Sequence, residues 1–75
     1  MKGTISLREA RRESGMTAAE VAAAAGLDRG TLHRIETGRQ LPKRANARRL
    51  FELFKGRVPL AHIYDPEFAS QIAAA

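Results

Sequence analysis

Residues 18–37 read AAEVAAAAGLDRGTLHRIET, and the placement of residue types within this window decides the fold. Two short runs flank Gly26, where the chain must bend sharply, and glycine accepts the positive φ of such a bend at no Cβ penalty. Ala22 is small where two closely crossing helices need a small side chain. Val21, Ala25, Leu27, Leu32 and Ile35 are apolar where the unit must face a core. Arg29, Gly30, Thr31, His33 and Arg34 are left on the outer face of the second run. A random Ala-rich hairpin would meet one or two of these conditions, seldom all of them.

Start and stop signals extend the pattern in both directions. Ser6-Leu7-Arg8-Glu9 is a capping box, in which hydroxyl and carboxylate each satisfy a free backbone donor of the other residue. It opens a first helix that ends near Ser14, ahead of Gly15. Thr17-Ala18-Ala19-Glu20 is a second box and opens a helix running to Ala25. Asp28 caps a third helix over residues 29–37, which Gly38 terminates. Residues 39–42 form a loop from which Leu41 is expected to dip into the core. A fourth helix, residues 43–54, carries Ala47, Leu50, Phe51 and Phe54 on one face, and Gly56 breaks it. Pro59 suits the first turn of a short fifth helix bearing Leu60 and Ile63. Asp65-Pro66-Glu67 starts a sixth segment with Phe68 and Ile72 on one side. No stretch alternates as a strand would.

Composition narrows the function classes. Seventy-five residues make one small domain, and aromatics at 5% suit an Ala- and Leu-type helical core. With no Cys and only His33 and His62 as imidazoles, no cofactor or metal is expected. No nucleophile, base and orienting acid are suggested together, so the chain is not expected to be an enzyme. It lacks an apolar run of the ~20 residues that span a bilayer, and a signal-like start, so a cytoplasmic, nucleoid-associated protein is expected. All 13 Lys and Arg fall within residues 1–57, ten of them Arg, whereas residues 58–75 carry only Asp65 and Glu67. Arg suits phosphates and guanine edges better than Lys does.

An α-helix fits the major groove of B-DNA when a second helix crossing it through a tight turn holds its angle. The 18–37 window reads as that helix-turn-helix. Double-stranded DNA is then the expected partner, with Arg29, Gly30, His33 and Arg34 at the base-reading positions. Arg29 and Arg34 are the strongest candidates, because Arg to guanine O6 and N7 is the commonest specific pairing. Thr17, Thr31, Thr37, Arg39, Lys43 and Arg44 are the candidate phosphate contacts, which would position the domain without reading sequence. Leu60, Ile63, Tyr64, Phe68 and Ile72 are the candidate dimer surface, where positive charge has run out.

Leu7-Arg8-Glu9-Ala10-Arg11, Thr17-Ala18-Ala19-Glu20-Val21-Ala22, Gly26-Leu27-Asp28 and Arg34-Ile35-Glu36-Thr37-Gly38 together resemble the Xre family. That family includes the phage repressors, the Cro proteins and many antitoxins. The resemblance covers roughly residues 5–63, and its most specific element is the Arg-Ile-Glu-x-Gly sequence that closes the third helix. It implies an all-α, compact five-helix lambda-repressor-like domain acting as a homodimer on a palindromic operator. It also implies an ion pair between Arg11 and Glu36. The chain departs from the pattern in three places. Ala18 stands where many relatives have a Gln that touches DNA, Thr37 where they often have Asn, and Gly30 where a side chain usually reads a base.

The expected organisation is a DNA-binding domain at residues 1–64 and a C-terminal extension at 65–75, a dimerisation element with a frayed end. The expected function is a sequence-specific transcriptional repressor of phage or mobile-element type, acting by promoter occlusion because the chain leaves no room for an effector domain. The alternative is an antitoxin that binds a partner toxin through the C-terminal cluster and represses its own operon.

Overall fold

The computed structural model describes residues 5–67. Five helices follow in order: α1 (Leu7–Ser14), α2 (Ala18–Ala25), α3 (Arg29–Glu36), α4 (Arg44–Leu53) and α5 (Leu60–Tyr64). No strand occurs among the described residues. The chain turns helical again at residues 66–67, where the described part ends. Phe68 and Ile72, expected on a sixth segment, lie outside it.

The helix starts follow the local chemistry. At α1 the Glu9 N–H donates to Ser6 Oγ (3.2 Å) and the Ser6 N–H donates to Glu9 Oε1 (2.9 Å). Thr17 and Glu20 repeat the arrangement at α2, with distances of 3.1 and 2.8 Å. Asp28 Oδ1 accepts from the Thr31 N–H at 2.7 Å to open α3. Such caps contribute about 1 kcal/mol each, which is substantial for helices of two turns. Pro59 is the exception to the expected starts. Its backbone is extended (ψ 150°), so it caps α5 from outside the first turn and accepts from the His62 and Ile63 N–H groups.

The helix ends explain how the chain reverses. After α2, Gly26 (φ 77°) donates to the Ala23 carbonyl at 3.2 Å, and Leu27 donates to the Ala22 carbonyl at 2.8 Å. This paired closure satisfies two open carbonyls and turns Leu27 back against the core. α3 closes in the same way one residue earlier than expected. Thr37 is its cap, Gly38 donates to Ile35 O at 3.2 Å, and Arg39 donates to Arg34 O at 2.8 Å.

α4 ends with Phe54 as its cap, and a left-handed lysine, Lys55, comes ahead of the left-handed Gly56 (φ 79°) expected to break the helix. Lys55 has φ 54° and donates to Glu52 O, while Gly56 donates to Phe51 O at 2.9 Å. A left-handed lysine carries a strain of roughly 1–2 kcal/mol, against a glycine entropy penalty of roughly 0.5–1 kcal/mol. Lys55→Gly is therefore expected to stabilise the domain by about 0.5–1 kcal/mol, read as a higher urea midpoint; a lower midpoint would refute the strain.

α2 packs on both α3 and α4, and α5 packs on α4 and α3. Val21, Ala22 and Ala25 of α2, Leu32 and Ile35 of α3, and Ala47, Leu50 and Phe54 of α4 are buried together with Leu7, Ala10, Val58 and Ile63. Three alanines at this crossing let the short helices approach closely. Two expectations are corrected. Leu41 is 70% exposed, and the neighbouring Pro42 takes the inward place, because consecutive residues of an extended loop face opposite ways. Ile63, expected on a dimer surface, has no exposed area and belongs to the core. Leu60 remains 39% exposed and Tyr64 half-buried at the same end. No helix among the described residues is long and apolar enough to cross a membrane.

Candidate nucleic-acid interface

With Leu32 and Ile35 locked into the core, the helical period leaves Arg29, Gly30, His33 and Arg34 on the outer face of α3, and all four are exposed. Arg34 does not extend freely. Its Nε–H donates to Gln40 Oε1 at 2.8 Å and an Nη2–H donates to Thr31 Oγ1 at 3.2 Å. The place vacated by the missing side chain of Gly30 lies beside Arg34, since a Cβ there would be 3.5 Å from Nη1.

The threonines differ in what they can offer. Thr17 Oγ1 accepts from the Glu20 N–H, and its own O–H is left to donate outward. Thr31, half-buried, accepts from Arg34. Thr37 Oγ1 donates to the His33 carbonyl at 2.9 Å and lies 3.3 Å from the Arg34 carbonyl. Its proton already serves the end of α3, so a phosphate would have to compete for it.

A basic segment adjoins this face. Residues 37–51 contain no acid, and Arg39, Lys43 and Arg44 are all exposed. Lys43 is the cap of α4 and makes no side-chain hydrogen bond to it. The first-turn N–H groups of α4 therefore stay open beside two cationic side chains, a local arrangement suited to an anion.

Residues far apart in sequence hold the face in place. Arg11 Nε–H donates to Glu36 Oε2 at 2.8 Å and Nη2–H donates to Glu36 Oε1 at 3.2 Å, which ties α1 to the last turn of α3. The Glu36 side chain is only 5% exposed and that of Arg11 19%. The hydrogen bonds to Glu36 hold the Arg11 guanidinium pKa above its usual value, against partial burial. A second pair, Arg57 with Glu13 at 2.8 Å, is exposed on both sides and contributes little.

Sequence reasoning missed the role of α4 in bracing the turn. Asn46 Nδ2 donates to the Ala25 carbonyl at 2.8 Å, occupying a carbonyl in the last turn of α2. Arg49 lies over Gly26, where an added Cβ would come within 2.5 Å of its Nη1. Nothing in the local sequence marks either residue, because both meet α2 only through the tertiary crossing.

Asp28 couples the start of α3 to pH. Hydrogen bonds from Thr31, side chain first and then backbone, hold its carboxyl below the usual range, with Arg34 adding attraction. A lowered carboxyl pKa contributes stability that is present above the unfolded value and lost as pH falls through the folded one. Asp28→Asn keeps a cap but removes this titration. Its stability is expected to fall less than the wild type's between about pH 5 and pH 2, measured by thermal melts. Parallel acid limbs would refute the assignment.

Among the described residues, no group of three or more His, Cys, Asp or Glu is placed to hold a metal ion. A family model described as a helix-turn-helix domain matches residues 5–60, from the residue before Ser6 to the first residue of α5. Neither the curated proteins nor the solved structures gave a match. The matched segment contains the α2–α3 crossing, the exposed outer face of α3 and the basic segment beside it, and the chain belongs to the helix-turn-helix family of DNA-binding regulators.

Proposed function

We propose that this chain is a sequence-specific transcriptional repressor of the Xre type, of phage or mobile-element origin, that binds a palindromic operator as a homodimer. The supporting observation is the exposed face of α3. It offers Arg29, His33 and Arg34 outward while the opposite face is locked into the core, and it adjoins an acid-free basic segment. α3 enters the major groove, and Arg29 and Arg34 read base edges, with His33 beside them. Arg39, Lys43, Arg44 and the open first turn of α4 grip phosphates, together with the hydroxyls of Thr17 and Thr31. Residues 1–64 carry the DNA-binding unit. The extension at 65–75, with Phe68 and Ile72, forms the dimer contact together with Leu60 and Tyr64, which places two copies of α3 about 34 Å apart on one side of the duplex.

Binding-site selection from random DNA tests this reading directly. The expected product is a palindrome with half-sites about one helical turn apart. Recovery of no consensus, with equal affinity for scrambled duplex at ~150 mM salt, would sink it. Recovery of a single half-site would remove the dimer and keep the DNA-reading role. Stoichiometric capture of a toxin encoded beside the gene would move the protein to the antitoxin class, with operator binding as feedback.

A further inference from the structure

Gln40 carries no charge and lies beyond the end of α3, yet it holds Arg34 at two points. Its side-chain Oε1 accepts from Arg34 Nε at 2.8 Å. Its backbone N–H donates to the Arg34 carbonyl at 3.2 Å, beside the 2.8 Å bond from the Arg39 N–H. Gly38 (φ 79°) turns the chain back over the end of α3 and brings both contacts about. On the other side, Thr31 Oγ1 accepts from Nη2 at 3.2 Å, and the absence of a side chain at Gly30 leaves room beside Nη1.

A guanidinium has five N–H donors. Two are engaged within the protein and three remain on Nη1 and Nη2, whereas the O6 and N7 of guanine need two. An arginine on an open helix face ordinarily samples many rotamers and must give them up on binding. Here Thr31 and Gln40 have already restricted it. We propose that Gln40 is a positioning residue which, with Thr31 and Gly30, presets the Arg34 guanidinium to read a guanine in the major groove. The inference rests on the DNA-reading role of α3 proposed above. It assigns specificity to a residue that, on this account, does not itself touch the DNA.

Gln40→Met keeps the side-chain length and removes the acceptor, whereas Gln40→Glu retains an acceptor for Nε. Anisotropy titrations compare the selected operator, the same duplex with each guanine replaced in turn, and a non-specific duplex. Gln40→Met is expected to weaken operator binding about fivefold, the order expected for freeing one side chain, and to leave non-specific binding unchanged. Gln40→Glu is expected to keep the guanine preference. In an Arg34→Ala background, Gln40→Met should have no further effect. In the free protein, 15N relaxation at the Arg34 Nε–H should report an ordered group that becomes mobile in Gln40→Met.

An undiminished loss from Gln40→Met in the Arg34→Ala background would mean that Gln40 contacts DNA itself, and would overturn the positioning role. So would unchanged operator preference and unchanged Arg34 order in Gln40→Met. If the wild type shows no preference for any operator, the DNA-reading proposal fails first, and the relaxation experiment still decides whether Gln40 orders Arg34.

Discussion

Arg11→Ala is expected to lower the unfolding free energy by about 3 kcal/mol, a large fraction of what a domain of this size possesses. The substitution leaves the Glu36 carboxylate, 5% exposed, without the guanidinium that meets both of its oxygens. Removing one partner of a buried pair costs more than removing both, since the remaining charge must be rehydrated or neutralised. The residual exposure of Arg11 places the effect at the lower end of the range for buried pairs. At this length the melting temperature should fall by about 15 °C. An Arg11→Met, Glu36→Leu double substitution should recover most of the loss, because apolar side chains of similar volume can replace the pair. The pair should also persist across the ordinary pH range. A raised Arg pKa contributes stability below the unfolded value for as long as its partner is a charged carboxylate, and on the alkaline side loses it only in strongly alkaline solution. A loss under about 1 kcal/mol in Arg11→Ala would class the contact with surface ion pairs.

The second large effect concerns grip. Replacing Arg39, Lys43 and Arg44 together by glutamine should flatten the dependence of log affinity on log salt by about 2.7, near 0.9 for each phosphate released. At ~150 mM salt this corresponds to roughly 100-fold weaker binding, on operator and non-specific duplex alike. Base preference should stay as it was, because phosphate contacts carry no sequence information directly. Arg29→Ala should do the reverse, relaxing preference at one base pair by about 1–3 kcal/mol with a smaller effect on non-specific binding. A triple variant with an unchanged salt slope would move the phosphate contacts elsewhere, with Arg48 and Arg49 the next exposed cations along α4.

The parts of the fold that depend on neighbours in sequence were legible. Capping boxes at Ser6 and Thr17, the Asp28 cap and the turn at Gly26 are local devices, and each acts where the residue types require. The apolar spacing likewise placed Leu32, Ile35, Ala47 and Leu50 inside. Long-range polar contacts were not legible in the same way. The Arg11–Glu36 pair was reached only through family resemblance, and the Asn46 bond to Ala25 O not at all. Each joins residues more than twenty positions apart, whose meeting depends on how helices cross. The role of Gln40 depends on the path of a loop, and a polar, uncharged residue gives no signal of it. Lys55 carries no local signal of its left-handed backbone, because the glycine beside it is the commoner left-handed residue. Leu41 turns outward and Pro42 inward for a related reason: hydropathy says that one residue of a loop turns inward, but not which.

The bracing of the α2–α3 turn by α4 bears on transplantation. Residues 18–37 look like a self-contained cassette that could be moved between scaffolds to transfer a binding preference. Yet the Ala25 carbonyl is completed by Asn46, and the space over Gly26 is filled by Arg49. A graft of the cassette alone would arrive with an unmet carbonyl and an uncovered bend. The smallest transferable unit of this protein therefore runs from α1, which supplies Arg11 to Glu36, through the first turns of α4, and Gln40 travels with it.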